Sequence, residues 1–83
     1  MSTDRVDNAV YNICLDVCMA GARATAQDIV SNVWKIPRLM DIPDAYEIVV
    51  SAIHRAIESD NWTCSQLSAM SLAKEYFSNV EKF

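Results

Sequence analysis

Three cysteines and one histidine are the residues of this chain whose types could do chemistry. Cys14 and Cys18 lie four positions apart, and His54 and Cys64 follow later. Thiolate and imidazole groups together can hold zinc in tetrahedral geometry. Structural zinc sites usually draw cysteines from tight turns, however, whereas Cys14 and Cys18 fall on a predicted helix. Because buried free cysteine behaves as a small apolar residue, we interpret all three as reduced thiols and predict neither a metal nor a cofactor.

A cysteine nucleophile needs a neighbouring base, and His54 is the one histidine that could serve Cys64. Such catalysis also needs backbone donors that stabilise a developing negative charge, and glycine-rich turns often supply them. The chain contains a single glycine. The sequence therefore predicts a protein that is not an enzyme, and His54 is interpreted as a solvated side chain beside Glu58.

Lys35 and Arg38 follow Trp34, a mixture of cations and aromatic ring that proteins binding single-stranded nucleic acid use. Two cations are too few, and the net charge of the chain is −4. Because sequence-independent binding to phosphates requires clustered Lys and Arg, we do not expect nucleic acid as a partner. Trp34 is instead interpreted as a core residue.

The most concentrated negative region contains Asp41, Asp44 and Glu47. Such residues are usually solvated, and near a helix start they interact favourably with the helix dipole. If this acidic patch has a binding role, it meets a basic surface on a partner protein, because complementary charge orients the encounter.

Four helices are predicted to position these residues. The first runs from roughly 4 to 20 and ends before Gly21, a typical helix-terminating residue. Thr25 caps a short second helix, which Pro37 prevents from continuing past residue 36. The third starts near Pro43, with Asp41 available as its cap.

The fourth predicted helix begins at Thr63, and Gln66 three residues later completes a capping box. The third and fourth helices are expected to form an antiparallel hairpin around Trp62. The core face of the fourth helix is predicted to contain Ala69, Met70, Leu72, Ala73, Tyr76, Phe77 and Val80. The expected fold is all-α, a small compact four-helix bundle with short loops.

The first predicted helix has two apolar faces. Its main stripe comprises Val6, Ala9, Val10, Ile13, Cys14, Val17 and Ala20. A second set falls on the far side of the helix and consists of Tyr11, Leu15, Cys18 and Met19. Only one face easily meets the core of a four-helix domain, so the other faces a further helix of the same chain or a partner.

Length and composition fit this picture. The 83 residues are predicted to form one helical domain, 1–83, and a domain this small has a thin core. A hydrophobic fraction of 52% then leaves apolar residues on the surface. Asp4, Asp7 and Asp16 interrupt the first helix, so we predict neither a signal peptide nor a membrane span, and a cytoplasmic location.

The sequence therefore predicts a non-enzymatic protein-binding module, an adaptor, inhibitor or regulator. A phage or mobile-element protein that blocks a host factor fits its size. Partner binding is expected at the second face of the first helix and at the 35–43 loop, through Tyr11, Leu15, Met19, Arg38, Leu39 and Met40. A homodimer through Tyr11 and Leu15 is equally compatible.

Two alternatives stay open. A short second helix, a loop and a longer third helix resemble the spacing of a helix-turn-helix regulator that binds DNA. The connection is longer than the three- or four-residue turn of that motif, and the exposed arc of the third helix carries Glu47 and Glu58. The second alternative is a helical subunit of a larger assembly.

Overall fold

The computed structural model describes residues 2–19 and 25–80, with the side chains of residues 2–4 excepted. Within these ranges the chain forms helices α1 (Ser2–Met19), α2 (Ala26–Trp34), α3 (Ala45–Glu58) and α4 (Cys64–Val80), with a short 3-10 helix at Leu39–Asp41. The described ranges contain no strand. The predicted all-α four-helix bundle is confirmed. None of the described helices is both long enough and apolar enough to cross a membrane.

Two helices begin at the caps that the sequence predicted. The Asp28 backbone amide donates to Thr25 Oγ1 at 3.3 Å at the start of α2. At the start of α4 the Gln66 amide donates to Thr63 Oγ1 at 3.3 Å, and the Thr63 amide donates to Gln66 Oε1 at 2.8 Å. Because these bonds satisfy amides that lack a partner within the helix, they fix where each helix starts.

The start of α3 differs from the prediction. Asp41 ends the 3-10 helix instead of capping α3, and Asp44 occupies the N-cap with a φ of 60° and no side-chain capping bond. Aspartate tolerates this left-handed conformation better than most residues. The turn at Asp44 redirects the chain, so α3 starts at Ala45, two residues after Pro43. The predicted cap at Gly21 lies outside the described residues.

Each helix packs against two others, and α3 makes the most extensive contacts, with α1 and α4, while α2 packs against α4 and α1. The sequence predicts one apolar stripe on α3, which comprises Ala45, Ile48, Val49, Ala52, Ile53, Ala56 and Ile57. Five of these residues are buried, and Ile48 and Ile57 are half-buried. The whole buried core consists of Val6, Val10, Cys14, Cys18, Ile29, Val33, Leu39, Ala45, Val49, Ala52, Ile53, Ala56, Ala69, Met70, Ala73 and Phe77.

Helices α3 and α4 form the antiparallel hairpin that the sequence predicted. Tyr46, at the start of α3, contacts Phe77 near the end of α4, with ring centres 6.3 Å apart. Farther along α3, His54 Nδ1 lies 3.2 Å from Lys74 Nζ. Trp62 packs against the core between the helices, and its Nε1 donates to the Ala56 carbonyl at 2.9 Å.

Three residues predicted to be in the core are exposed: Trp34 by 37%, Leu72 by 58% and Tyr76 by 44%. On α4 the buried row runs through Ala69, Ala73 and Phe77, and the row through Leu72 and Tyr76 is turned from it by about 100°. Met70, on the other side of the buried row, is also buried because α4 packs against both α3 and α2, whereas Leu72 and Tyr76 lie beyond this packed surface. Cys18, which was predicted on the second apolar face of α1, is buried instead.

Candidate functional site

An aromatic cluster lies where the end of α2 meets the start of α3 and the end of α4. The Trp34 ring is 5.9 Å from that of Tyr46 in an edge-on arrangement and 5.7 Å from that of Phe77. Tyr46 and Phe77 stack at 6.3 Å with an interplanar angle of 26°. Phe77 is fully buried, whereas Tyr46 is half-buried and Trp34 is exposed. The cluster therefore extends from the core to the surface.

Met40 extends this cluster along the surface. It belongs to the 3-10 helix between α2 and α3 and is 63% exposed. The Tyr46 hydroxyl donates a hydrogen bond to Met40 Sδ at 3.2 Å. We call Trp34, Met40 and Tyr46 the aromatic patch. Trp34 and Met40 are exposed, and the half-buried Tyr46 contacts both, although the three residues come from different elements.

An open pocket of about 360 Å³ adjoins the aromatic patch at Tyr46. It lies between the first half of α3 and the end of α4. The residues that line it are Tyr46, Glu47, Val50, Ser51, Phe77 and Ser78. Among these, Glu47 is the one charged residue. The pocket thus combines two aromatic rings, an aliphatic side chain, two serine hydroxyls and a carboxylate.

The 35–43 loop divides its predicted contact residues between surface and core. Arg38 is exposed and has a left-handed backbone with a φ of 61°. Met40 is exposed, but Leu39 is only 2% exposed and belongs to the core. The expectation that Leu39 contacts a partner is therefore wrong. The short 3-10 helix turns Leu39 inward and Met40 outward. The sequence shows only two consecutive apolar residues and does not indicate which of them is buried.

The second apolar face of α1 is partly covered by α3. Tyr11 is half-buried, and the Arg55 guanidinium lies 4.6 Å from the centre of its ring. The same guanidinium pairs with the Asp7 carboxylate at 2.9 Å. Leu15 is also half-buried, so Met19, 62% exposed, is the most accessible residue of this predicted binding face.

The acidic residues of the predicted patch, Asp41, Asp44 and Glu47, are all exposed. Glu47 lies in the first turn of α3 and also lines the pocket. Within the described part of the chain, none of the three forms an ion pair. Their carboxylates therefore face solvent and are accessible to a molecule that binds near the start of α3.

Cys14 and Cys18 are buried together on α1, whereas Cys64 and His54 are exposed. Burial, with a smaller contribution from Cys18, raises the pKa of the Cys14 thiol to about 12, and burial also raises the pKa of Cys18. Cys64 is exposed. His54 lies between Lys74 and Glu58, with its Nε2 3.4 Å from the Glu58 carboxylate. No group of three potential metal ligands occurs among the described residues.

Sequence patterns did not indicate the pocket. Its lining combines α3 positions 46, 47, 50 and 51 with α4 positions 77 and 78, which are far apart in the chain. The only available signal was the change from apolar to polar residues at the edge of the α3 stripe. The residues from α3 and α4 come together only when the two helices pack as a hairpin, which places Tyr46 beside Phe77.

Comparison with models of known protein families, with curated proteins and with solved structures finds no match for this chain. The aromatic patch and its pocket are therefore interpreted from their own chemistry.

Proposed function

We propose that this protein is a non-enzymatic protein-binding module, an adaptor, inhibitor or regulator, whose partner docks on the aromatic patch. One observation carries the proposal: Trp34 and Met40 are exposed, yet Tyr46 contacts both and holds them in place. Tryptophan, tyrosine and methionine are enriched in protein interfaces, and tryptophan and tyrosine often dominate the binding energy. Side chains that are already ordered also lose less entropy on binding.

The charges around the aromatic patch indicate the chemistry of the partner. Asp44 and Glu47 lie on the α3 side of the patch, and both are exposed. A partner segment that presents an apolar or aromatic side chain next to Lys or Arg matches this surface, because complementary charge orients the encounter and suppresses acidic competitors. The same carboxylates disfavour DNA, whose phosphates they would repel.

Helix α1 has a smaller role in this proposal than its sequence suggested. Arg55 covers Tyr11, so an approaching protein meets the guanidinium as well as the ring. Met19 remains the exposed apolar residue of that face. We therefore place the main contact at the aromatic patch and retain Met19 as a separate candidate contact.

A second candidate function is supported by α4. Leu72 and Tyr76 lie four residues apart on one exposed face, which favours a helical subunit packed against another chain. This face and the aromatic patch can be tested separately, because Leu72 and Met40 belong to different elements and both are exposed.

Site-specific photo-crosslinking tests the proposal. A p-benzoylphenylalanine would replace Met40 in one variant, Leu72 in a second and the exposed Gln27 of α2 in a third, each expressed in the cells that normally make the protein. The proposal predicts a discrete adduct with another protein from position 40. Excess unlabelled wild-type chain should suppress the adduct, whereas a folded chain carrying Trp34→Ala and Met40→Ser should not.

The three positions separate the outcomes. A competed adduct from position 72 but not from position 40 would transfer the interface to α4 and support the second candidate. Adducts from position 40 that match those from position 27, and that both competitors suppress equally, would contradict the aromatic patch as a specific interface.

A further inference from the structure

We infer that the pocket beside the aromatic patch receives a lysine or arginine side chain of the partner, an inference that rests on the proposed function. The pocket holds about 360 Å³, which is at the lower end of the roughly 300–1,000 Å³ typical of ligand pockets. This size suits one long side chain better than a folded element.

The pocket walls match the two chemically different parts of such a side chain. Tyr46 and Val50 offer apolar surface to the methylene stem. Phe77 also lines the pocket, although it is fully buried, and it stacks on the Tyr46 ring and supports it. A cation near the Tyr46 ring is also attracted by the negative face of its π-system.

The polar residues of the lining suit a cationic end group. Glu47 supplies a carboxylate from the first turn of α3. The Ser78 hydroxyl donates its own hydrogen to the Lys74 carbonyl at 3.0 Å, so its oxygen is left to accept from an ammonium or guanidinium group. Ser51 adds a second hydroxyl.

Other occupants fit this lining less well. An acidic side chain would be repelled by Glu47, the one charge among the described residues of the lining. A purely apolar side chain would displace water from the Glu47 carboxylate without returning a hydrogen bond, which is unfavourable. A basic side chain meets both the apolar wall and the carboxylate.

The test is an NMR titration of the full chain with two small probes. Nα-acetyl-lysine methylamide carries the ammonium group, and Nα-acetyl-norleucine methylamide has a similar stem without it. With the lysine probe we expect saturable chemical-shift changes at the Glu47, Val50, Ser51 and Ser78 amides and a millimolar dissociation constant. The norleucine probe should bind more weakly. Glu47→Gln should weaken lysine binding about threefold to fivefold, as expected for an exposed ion pair. Glu75→Gln, on exposed α4 surface, is the matched control and should leave it unchanged.

Equal affinity for the two probes, or shifts that do not saturate at these amides, would overturn the inference. If position 40 still gives a competed adduct in that case, the proposed function stands and only the basic occupant is wrong. If the lysine probe binds as expected but no competed adduct forms, the pocket is a site for basic groups and the proposed function fails.

Discussion

The Tyr46 hydroxyl donates a hydrogen bond to Met40 Sδ over 3.2 Å, which ties the 35–43 loop to the first turn of α3. Met40 is 63% exposed, and methionine has three rotatable bonds, so without this contact its side chain would sample many conformations. The bond therefore orders a residue that the core does not hold. This ordering connects the aromatic cluster with the proposed binding surface.

Replacing Tyr46 by phenylalanine should loosen Met40 without unfolding the protein. The ring and its stacking on Phe77 remain, and only the hydroxyl is lost. We expect a lower NMR order parameter for the Met40 methyl group, an unchanged one for Met19, and a fall in melting temperature of no more than about 8 °C, because one such bond contributes about 1 kcal/mol. An unchanged Met40 order parameter would show that the hydrogen bond does not hold this side chain.

Leu39 and Met40 are neighbours with opposite environments, and they form a matched pair for stability measurements. Leu39→Ala should lower the free energy of unfolding by about 2–5 kcal/mol, because it removes a buried side chain. Met40→Ala should change it by at most about 1 kcal/mol, because it removes an exposed side chain and its hydrogen bond from Tyr46. Urea denaturation measures both. Similar effects for the two variants would mean that the 3-10 helix does not separate them as described.

The starts of α2 and α4 were predictable because their signals are local. Thr25 with Asp28, and Thr63 with Gln66, satisfy backbone amides within one turn, so four consecutive residues specify the result. The apolar stripe of α3 was predictable because this helix is covered on two sides, by α1 and α4, and most of its apolar residues are consequently buried.

The surface was harder to predict because it depends on distant parts of the chain. Leu72 and Tyr76 continue the apolar pattern of α4 but lie beyond the edge of its packed row. Trp34 packs against the buried Phe77 at the edge of the core, and its side chain remains partly exposed. The pocket requires the register between α3 and α4, which no local pattern contains.

Arg55 connects α1 to α3, and its removal should destabilise the protein modestly. Arg55→Ala deletes the ion pair with Asp7 and the contact with the Tyr11 ring. We expect a loss of about 1 kcal/mol in the free energy of unfolding, because exposed ion pairs and cation–π contacts each contribute up to about that amount. The difference between wild type and variant should shrink at high salt. Arg5→Ala, on the exposed surface of α1, is the control, and an equal effect there would contradict a specific role for Arg55.

The buried cysteines predict a loss of stability at high pH. Burial raises the pKa of Cys14 from 9.0 to about 12, so the unfolded chain releases this proton at lower pH than the folded one. The free energy of unfolding should be independent of this group below pH 9 and fall between about 9 and 12, by up to about 1.4 kcal/mol per pH unit. Cys14→Ala should flatten this part of the profile. An equally steep fall in the variant would assign it to other groups.

The most direct test of the aromatic patch uses the methionine methyl groups as reporters. Among the methionines, Met40 reports on the aromatic patch, Met19 on the outer face of α1 and Met70 on the core. Methyl NMR spectra of the labelled protein would be recorded alone and in a lysate of the cells that make it. Binding at the aromatic patch predicts selective shift or broadening of the Met40 signal, with Met19 less affected and the effect lost in Trp34→Ala. A Met19 signal that changes while Met40 stays sharp, or two signals that both stay sharp, would contradict the proposed interface.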